Sequence, residues 1–240
     1  MNSLQEKEDF QELYRDFGMP LSEIDCGTKC GPHNDYGVPV CCDIQLVIPS
    51  AFELEWRYLR ENTDLWQPWS SSGNHAQELE GELQEGQVLL RCKGYRECQR
   101  EYRTLTCRAF PFFPYLDKTG ELLGMAYYPD FRQDCWIISN LELVSQTYKE
   151  AFQRTFQRIF DLYPDFQQNF RGYCDYLRAQ SADQNEEIIL LGFTGDVYSI
   201  DPRTQEHYQV EYKELAAFGP YEITRDLQFP DERKPLQDNK

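Results

Sequence analysis

The sequence predicts an α+β fold: short strands and loops, helices packed beside them, and a small β-rich C-terminal part. Three observations predict it. Short apolar runs at 44–48, 87–92 (QVLLRC) and 121–128 (ELLGMAYY) suit strands. Apolar residues at helical spacing mark 5–17 and much of 140–180. The stretch IILLGF-TGD-VYSID at 188–201 reads as a β-hairpin with a glycine-containing turn. With 240 residues, 40% hydrophobic and 15% aromatic, the chain can bury an ordinary core, and the composition is globular.

Each element follows in order. Phe10, Leu13, Tyr14 and Phe17 share one face of a helix over 5–17. A cysteine-rich loop comes next, then a strand over Ile44–Ile48. Ser50 and Glu53 form a capping-box pattern, which predicts a helix from about 51 to 61. Residues 62–86 are polar, with Pro, Ser and Gly, and read as a long loop. QVLLRC delivers Cys92 at the end of a strand. Asn140 caps a helix that Pro164 breaks and restarts. HYQVEY adds a strand, and FPDERKPLQDNK forms a loose tail. The organisation is 1–139, a cysteine-cluster part, and 140–240, a helical segment with hairpin and tail. The second is a domain of its own or part of the first.

The net charge of −17 argues against whole-protein attraction to nucleic acid or to an anionic membrane. The opening MNSLQEKEDFQELY shows no secretory leader pattern, and no apolar run approaches the ~18 residues of a spanning helix. The expectation is a cytoplasmic protein with reduced thiols, whose possible partner is another protein, as partner or substrate.

Nine cysteines dominate the chemistry. Cys26, Cys30, Cys41 and Cys42 form one burst, Cys92, Cys98 and Cys107 a second, and Cys135 stands close behind. Cys174 falls in a predicted helix and reads as an ordinary buried thiol. An odd count, no export signal and an adjacent pair argue against structural disulfides. Thiolates at short spacing suit zinc or an iron–sulfur cluster, [4Fe–4S] above all. Gly31, Pro32, Gly37 and Pro39 bend the loop so that its two ends can meet around one centre. The candidate ligands are Cys26, Cys30, Cys41, Cys42, Cys92, Cys98 and Cys107, with Cys135; four of these eight would bind one centre, and the others would complete a second site or stay thiols. His33 lies inside the loop and reads as solvent-facing. Phe110, Phe112, Phe113 and Tyr115 read as core, with a possible second role in shielding a cluster.

Charge adds an independent sign. Arg91, Lys93, Arg96, Arg100, Arg103 and Arg108 face only Glu97 and Glu101, so 91–108 carries a net +4 inside an acidic protein. Cations beside clustered thiolates offset their charge and lower their pKa values. Such cations can equally hold an anionic ligand, and Arg103 and Arg108 are the expected cofactor-binding pair. A solvated basic face is the plainer alternative.

The ordered set C-x3-C…CC, then I-P-S-x-x-E, then C-x5-C-x8-C-R-x-F-P resembles the YkgJ-type cysteine-cluster family, described as zinc- or iron-chelating. The match rests on Cys26, Cys30, Cys41, Cys42, Ile48, Pro49, Ser50, Glu53, Cys92, Cys98, Tyr102, Cys107, Arg108, Phe110 and Pro111, and covers about 26–135. The resemblance implies metal binding without a defined reaction. One branch resembles flagellin lysine N-methylases, which implies as an alternative a cluster-dependent methyl transfer from S-adenosylmethionine. A third reading is a thiol redox sensor.

Overall fold

The computed structural model describes residues 3–70, 81, 83 and 86–222. His75 and the predicted tail lie outside them, as does part of the predicted 62–86 loop. The fold is mixed helix and sheet, as expected for α+β. Helix α1 (Ser3–Asp16) buries Phe10, Leu13, Tyr14 and the following Phe17, the face its spacing marks. The short helix α2 (Gly27–Cys30) begins the cysteine loop.

Ile44–Ile48 is not a strand. The Asp43 carboxylate accepts from the Gln45 backbone N–H at 2.9 Å, and the Asp43 carbonyl accepts from Leu46 and Val47. This Asx-type turn satisfies backbone groups locally and removes the run from any ladder. Strand β1 (Ser50–Phe52) follows and leads directly into α3 (Glu53–Asn62). The helix is where the pattern places it, but Ser50 does not cap it. Ser50 is held in β1, Phe52 occupies the cap position, and no side chain bonds there.

Strands β2 (Trp66–Pro68) and β3 (Gln87–Cys92) complete an antiparallel sheet of order β1-β3-β2. Helix α4 (Leu105–Ala109) is capped by Thr104, whose hydroxyl accepts from Cys107 N–H at 3.0 Å. Next comes β4 (Phe112–Leu116), fully buried along its length. Phe112, Phe113 and Tyr115 of the aromatic run are thus core, and they form a strand, whereas Phe110 precedes it and is half-buried. Pro114 is tolerated because β4 is an edge strand, so its missing N–H removes no second ladder.

Strands β5 (Leu122–Tyr127), β6 (Ile188–Leu191), β7 (Val197–Ile200) and β8 (His207–Val210) extend β4 into a five-stranded antiparallel sheet. The β5–β6 pairing, Met125 opposite Leu191, joins the parts before and after residue 139 in one sheet. Gly124 makes that pairing possible: a Cβ there would lie 2.8 Å from the Leu191 carbonyl. Helices α5 (Gln146–Leu162) and α6 (Pro164–Gln184) break at Pro164 as expected. Ser145, not Asn140, caps α5, accepting from Tyr148 N–H at 3.2 Å. Asn140 is buried, and its side-chain amide donates instead to the Trp136 carbonyl.

The core is aromatic. Phe17 meets Phe152 edge-on, Phe152 packs on Phe156, Phe156 meets Phe170 edge-on, and Phe52 stacks on Phe166. These contacts tie α1, α5, α6 and β1 together. Cys174 belongs to this interior: its sulfur accepts from Leu116 N–H at 3.3 Å and donates to the Pro114 carbonyl. No helix among the described residues is long and apolar enough to cross a membrane.

Candidate functional site

The cysteine loop closes because of two glycines. A Cβ on Gly27 would lie 2.8 Å from the Pro39 ring, and one on Gly31 would press on the Gly37 carbonyl. Their absence lets 37–39 fold back onto α2, which brings Cys41 and Cys42 to Cys26 and Cys30. The Cys41 and Cys42 sulfurs are 3.9 Å apart.

The second burst arrives from three elements. Cys92 ends β3 and accepts from Gly94 N–H at 3.4 Å. Cys98 accepts from Arg103 Nε at 3.2 Å. Cys107 rides on α4. Cys135 is buried in the turn before residues 136–139. The thiols act on one another electrostatically, which places them in one neighbourhood. Burial raises the Cys135 thiol, and Cys26 and Cys30 raise it further. Burial likewise pushes Cys107 up to about 12; Arg103 opposes this, while Cys42, Cys98 and Cys92 add to it. Cys26 is pushed up to about 11 by burial, then by Cys30 and Asp25. Cys30 and Cys92 are raised for the same first reason. Cys174 does not belong to this group. Its neighbours are Leu116, Arg178 and Asp175.

The adjacent pair titrates as a unit. The Cys41 thiol bonds to Cys42 and favours the Cys42 thiolate, lowering it to about 7 against the cost of burial. Arg103 and Arg100 contribute to the lowering. Cys41 is correspondingly raised. Once one sulfur is ionised, the second proton is held by repulsion and burial.

The two expected cofactor-binding arginines differ. Arg108 is committed to the fold: its nitrogens donate to the carbonyls of Tyr14 (2.9 Å), Phe17 (2.6 Å), Arg103 (3.0 Å) and Glu101 (2.6 Å). It also lies over the Tyr14 ring at 4.3 Å. Arg103 has the single hydrogen bond to Cys98 among the described residues, made by Nε. His33 is exposed, edge-on to Tyr221 at 5.6 Å.

A cleft of about 770 Å³ opens above the sulfurs. Cys26, Cys41, Cys42, Cys98 and Cys107 form part of its lining, with Arg100 and Arg103. A second functional candidate escapes sequence reading. Glu55 is fully buried, and its Oε1 accepts from Tyr14 OH and from Leu105 N–H, each at 2.6 Å. Among the described residues, its Oε2 has no hydrogen-bond partner. Burial raises its pKa to about 7, against those hydrogen bonds. A glutamate two residues into a helix gives no local signal of burial; the capping pattern draws attention to Glu53 instead.

Among the described residues, no group of three or more His, Cys, Asp or Glu is placed so that it could hold a metal ion. No protein-family model matches the chain, and neither a curated protein nor a solved structure matches it.

Proposed function

We propose that the chain binds metal, as an iron–sulfur cluster or zinc, through Cys26, Cys30, Cys41, Cys42, Cys92, Cys98, Cys107 and Cys135. One observation carries the reading: Cys26, Cys41, Cys42, Cys98 and Cys107, from separate segments, line one cleft with Arg103; Cys30, Cys92 and Cys135 lie within electrostatic reach of members of that group, and Cys174 stays apart in the core. The donor set fits. Two zinc-bound sulfurs in a tetrahedron lie about 3.8 Å apart, given Zn–S bonds near 2.3 Å; Cys41 and Cys42 stand at 3.9 Å. Buried thiols with raised pKa values are also the kind that a bound cation ionises, so loading releases protons. Bound metal would supply charge compensation for the thiolates, and, as a cluster, electron storage. Arg103 and its N–H bond to Cys98 would stabilise the anionic form. Arg108 would hold α4, and with it Cys107, in place.

The test is anaerobic purification, with iron, acid-labile sulfide and zinc assayed beside the visible spectrum. Matching iron and sulfide in a brown protein supports a cluster. Stoichiometric zinc in a colourless one supports a structural or sensing role. Metal-free protein that also resists reconstitution overturns the reading. The double variant Cys41→Ala/Cys42→Ala is expected to lose most of the metal. A single contrast is sharper: Cys135→Ala lowers metal content, whereas Cys174→Ala leaves it unchanged at a cost of roughly 1 kcal/mol in stability. Equal metal content in both variants removes Cys135 from the set.

One observation favours a second reading. The Cys41–Cys42 pair, with one thiol ionising near pH 7, suits thiol redox sensing. It predicts reversible thiol oxidation and no coloured cluster. Methyl transfer from S-adenosylmethionine gains no residue-level support among the described residues.

A further inference from the structure

The cleft above the sulfurs is built for more than access to them. Its volume, about 770 Å³, falls in the range of ordinary small-molecule sites. One wall is apolar and belongs to the segment after α1: Met19, Leu21 and Ile24 line it, and Met19 and Ile24 are 42% and 40% exposed. Phe110 also lines the cleft. Large apolar side chains left open beside a cavity stand ready to cover an apolar body.

The opposite chemistry is that of Arg103. It lines the cleft and is half-buried, with Nε spent on Cys98. Its two terminal nitrogens have no hydrogen-bond partner among the described residues. A guanidinium presents these donors as a planar fork that matches a carboxylate. Arg100 adds positive charge at the same cleft, tempered by its exposed pairing with Asp25 at 3.1 Å. The contrast with Arg108 is informative. That residue also lines the cleft, but its donors are consumed by backbone carbonyls.

We propose that this cleft binds a small amphipathic monocarboxylate, its carboxylate on the free fork of Arg103 and its apolar body against Met19, Leu21 and Ile24. The ligand then lies across the face formed by Cys41, Cys42, Cys98 and Cys107. Sequence marked Arg103 as basic; only the structure separates its open donors from the spent ones of Arg108.

The test is calorimetric titration of the full chain, with its metal content measured, using octanoate and the neutral 1-octanol as probes. Octanoate is expected to bind at least about tenfold tighter than octanol, as a buried charge-assisted pair requires. Arg103→Gln abolishes that preference, and Arg103→Lys retains part of it. Ile24→Asp, at an exposed position, weakens both probes. Equal binding of octanoate and octanol to the unaltered protein overturns the proposal, whatever the variants do. So does an unchanged octanoate affinity in a folded Arg103→Gln protein, which would leave Arg103 as a counter-ion to the sulfurs only. The comparison does not depend on bound metal. A metal-free protein that prefers octanoate supports the cleft proposal, while reconstitution alone decides the metal reading.

Discussion

Arg108→Ala is expected to lower the unfolding free energy by about 2–3 kcal/mol, the upper part of the usual range, because it removes a part-buried set of charge-assisted hydrogen bonds. The last carbonyls of α1 have no helical partner, and Arg108 supplies one from α4 by donating to Tyr14 and Phe17. A cation there also opposes the helix dipole. The same guanidinium closes the 101–103 segment through Glu101 and Arg103 and stacks on Tyr14. Alanine leaves four carbonyls without this donor and opens space over the ring. Lysine keeps the charge but not the planar fork, so Arg108→Lys should recover less than half of the loss. Urea unfolding at pH 7 measures both, with the m-value unchanged if only stability alters. A loss under about 1 kcal/mol for the alanine variant would show that Arg108 is a solvated surface charge after all.

The second large effect is pH dependence from Glu55. Its carboxyl is raised from its ordinary 4.5 to about 7, chiefly by burial. Tyr14 from α1, Arg108 from α4 and Leu105 N–H face it, and they favour the charged form without overcoming burial. The folded state therefore holds the proton more tightly than the unfolded chain. Glu55 contributes its full stability below pH 4.5 and loses it as pH rises to 7, by up to about 3 kcal/mol at 1.36 kcal/mol per unit. Glu55→Gln keeps the acceptor for Tyr14 and Leu105 and removes the titration. Wild type and variant should be similar near pH 4.5, and the variant more stable by about that amount near pH 7.5. Denaturation curves at several pH values test this by difference, which cancels the repulsion common to both acidic chains. Parallel stability profiles would mean that Glu55 titrates normally.

Much of the fold was legible because local periodicity encodes which face is buried. The α1 stripe, the break at Pro164 and the 188–201 hairpin are all local signals, and the structure contains each of them. Errors arose where a local hydrogen bond or a distant neighbour decided. Asp43 folded an apolar run into a turn, and Ser50 entered a sheet through partners at 87–89. Phe112–Leu116 reads as core from composition, but its strand identity comes from pairing with Leu122–Tyr127.

The candidate site divides along the same line. By itself the sequence determined that two cysteine bursts exist, that glycine and proline can close the first, and that a basic segment accompanies the second. Residue type and spacing carry that information directly. The sequence also set Cys135 with the bursts and Cys174 apart, while only the tertiary structure decided that Glu55 is the buried carboxylate and that Arg108 is spent while Arg103 is open. The reason is physical: the state of a thiol, carboxylate or guanidinium depends on which remote segments desolvate it and which donors or acceptors they bring, and no local spacing encodes that.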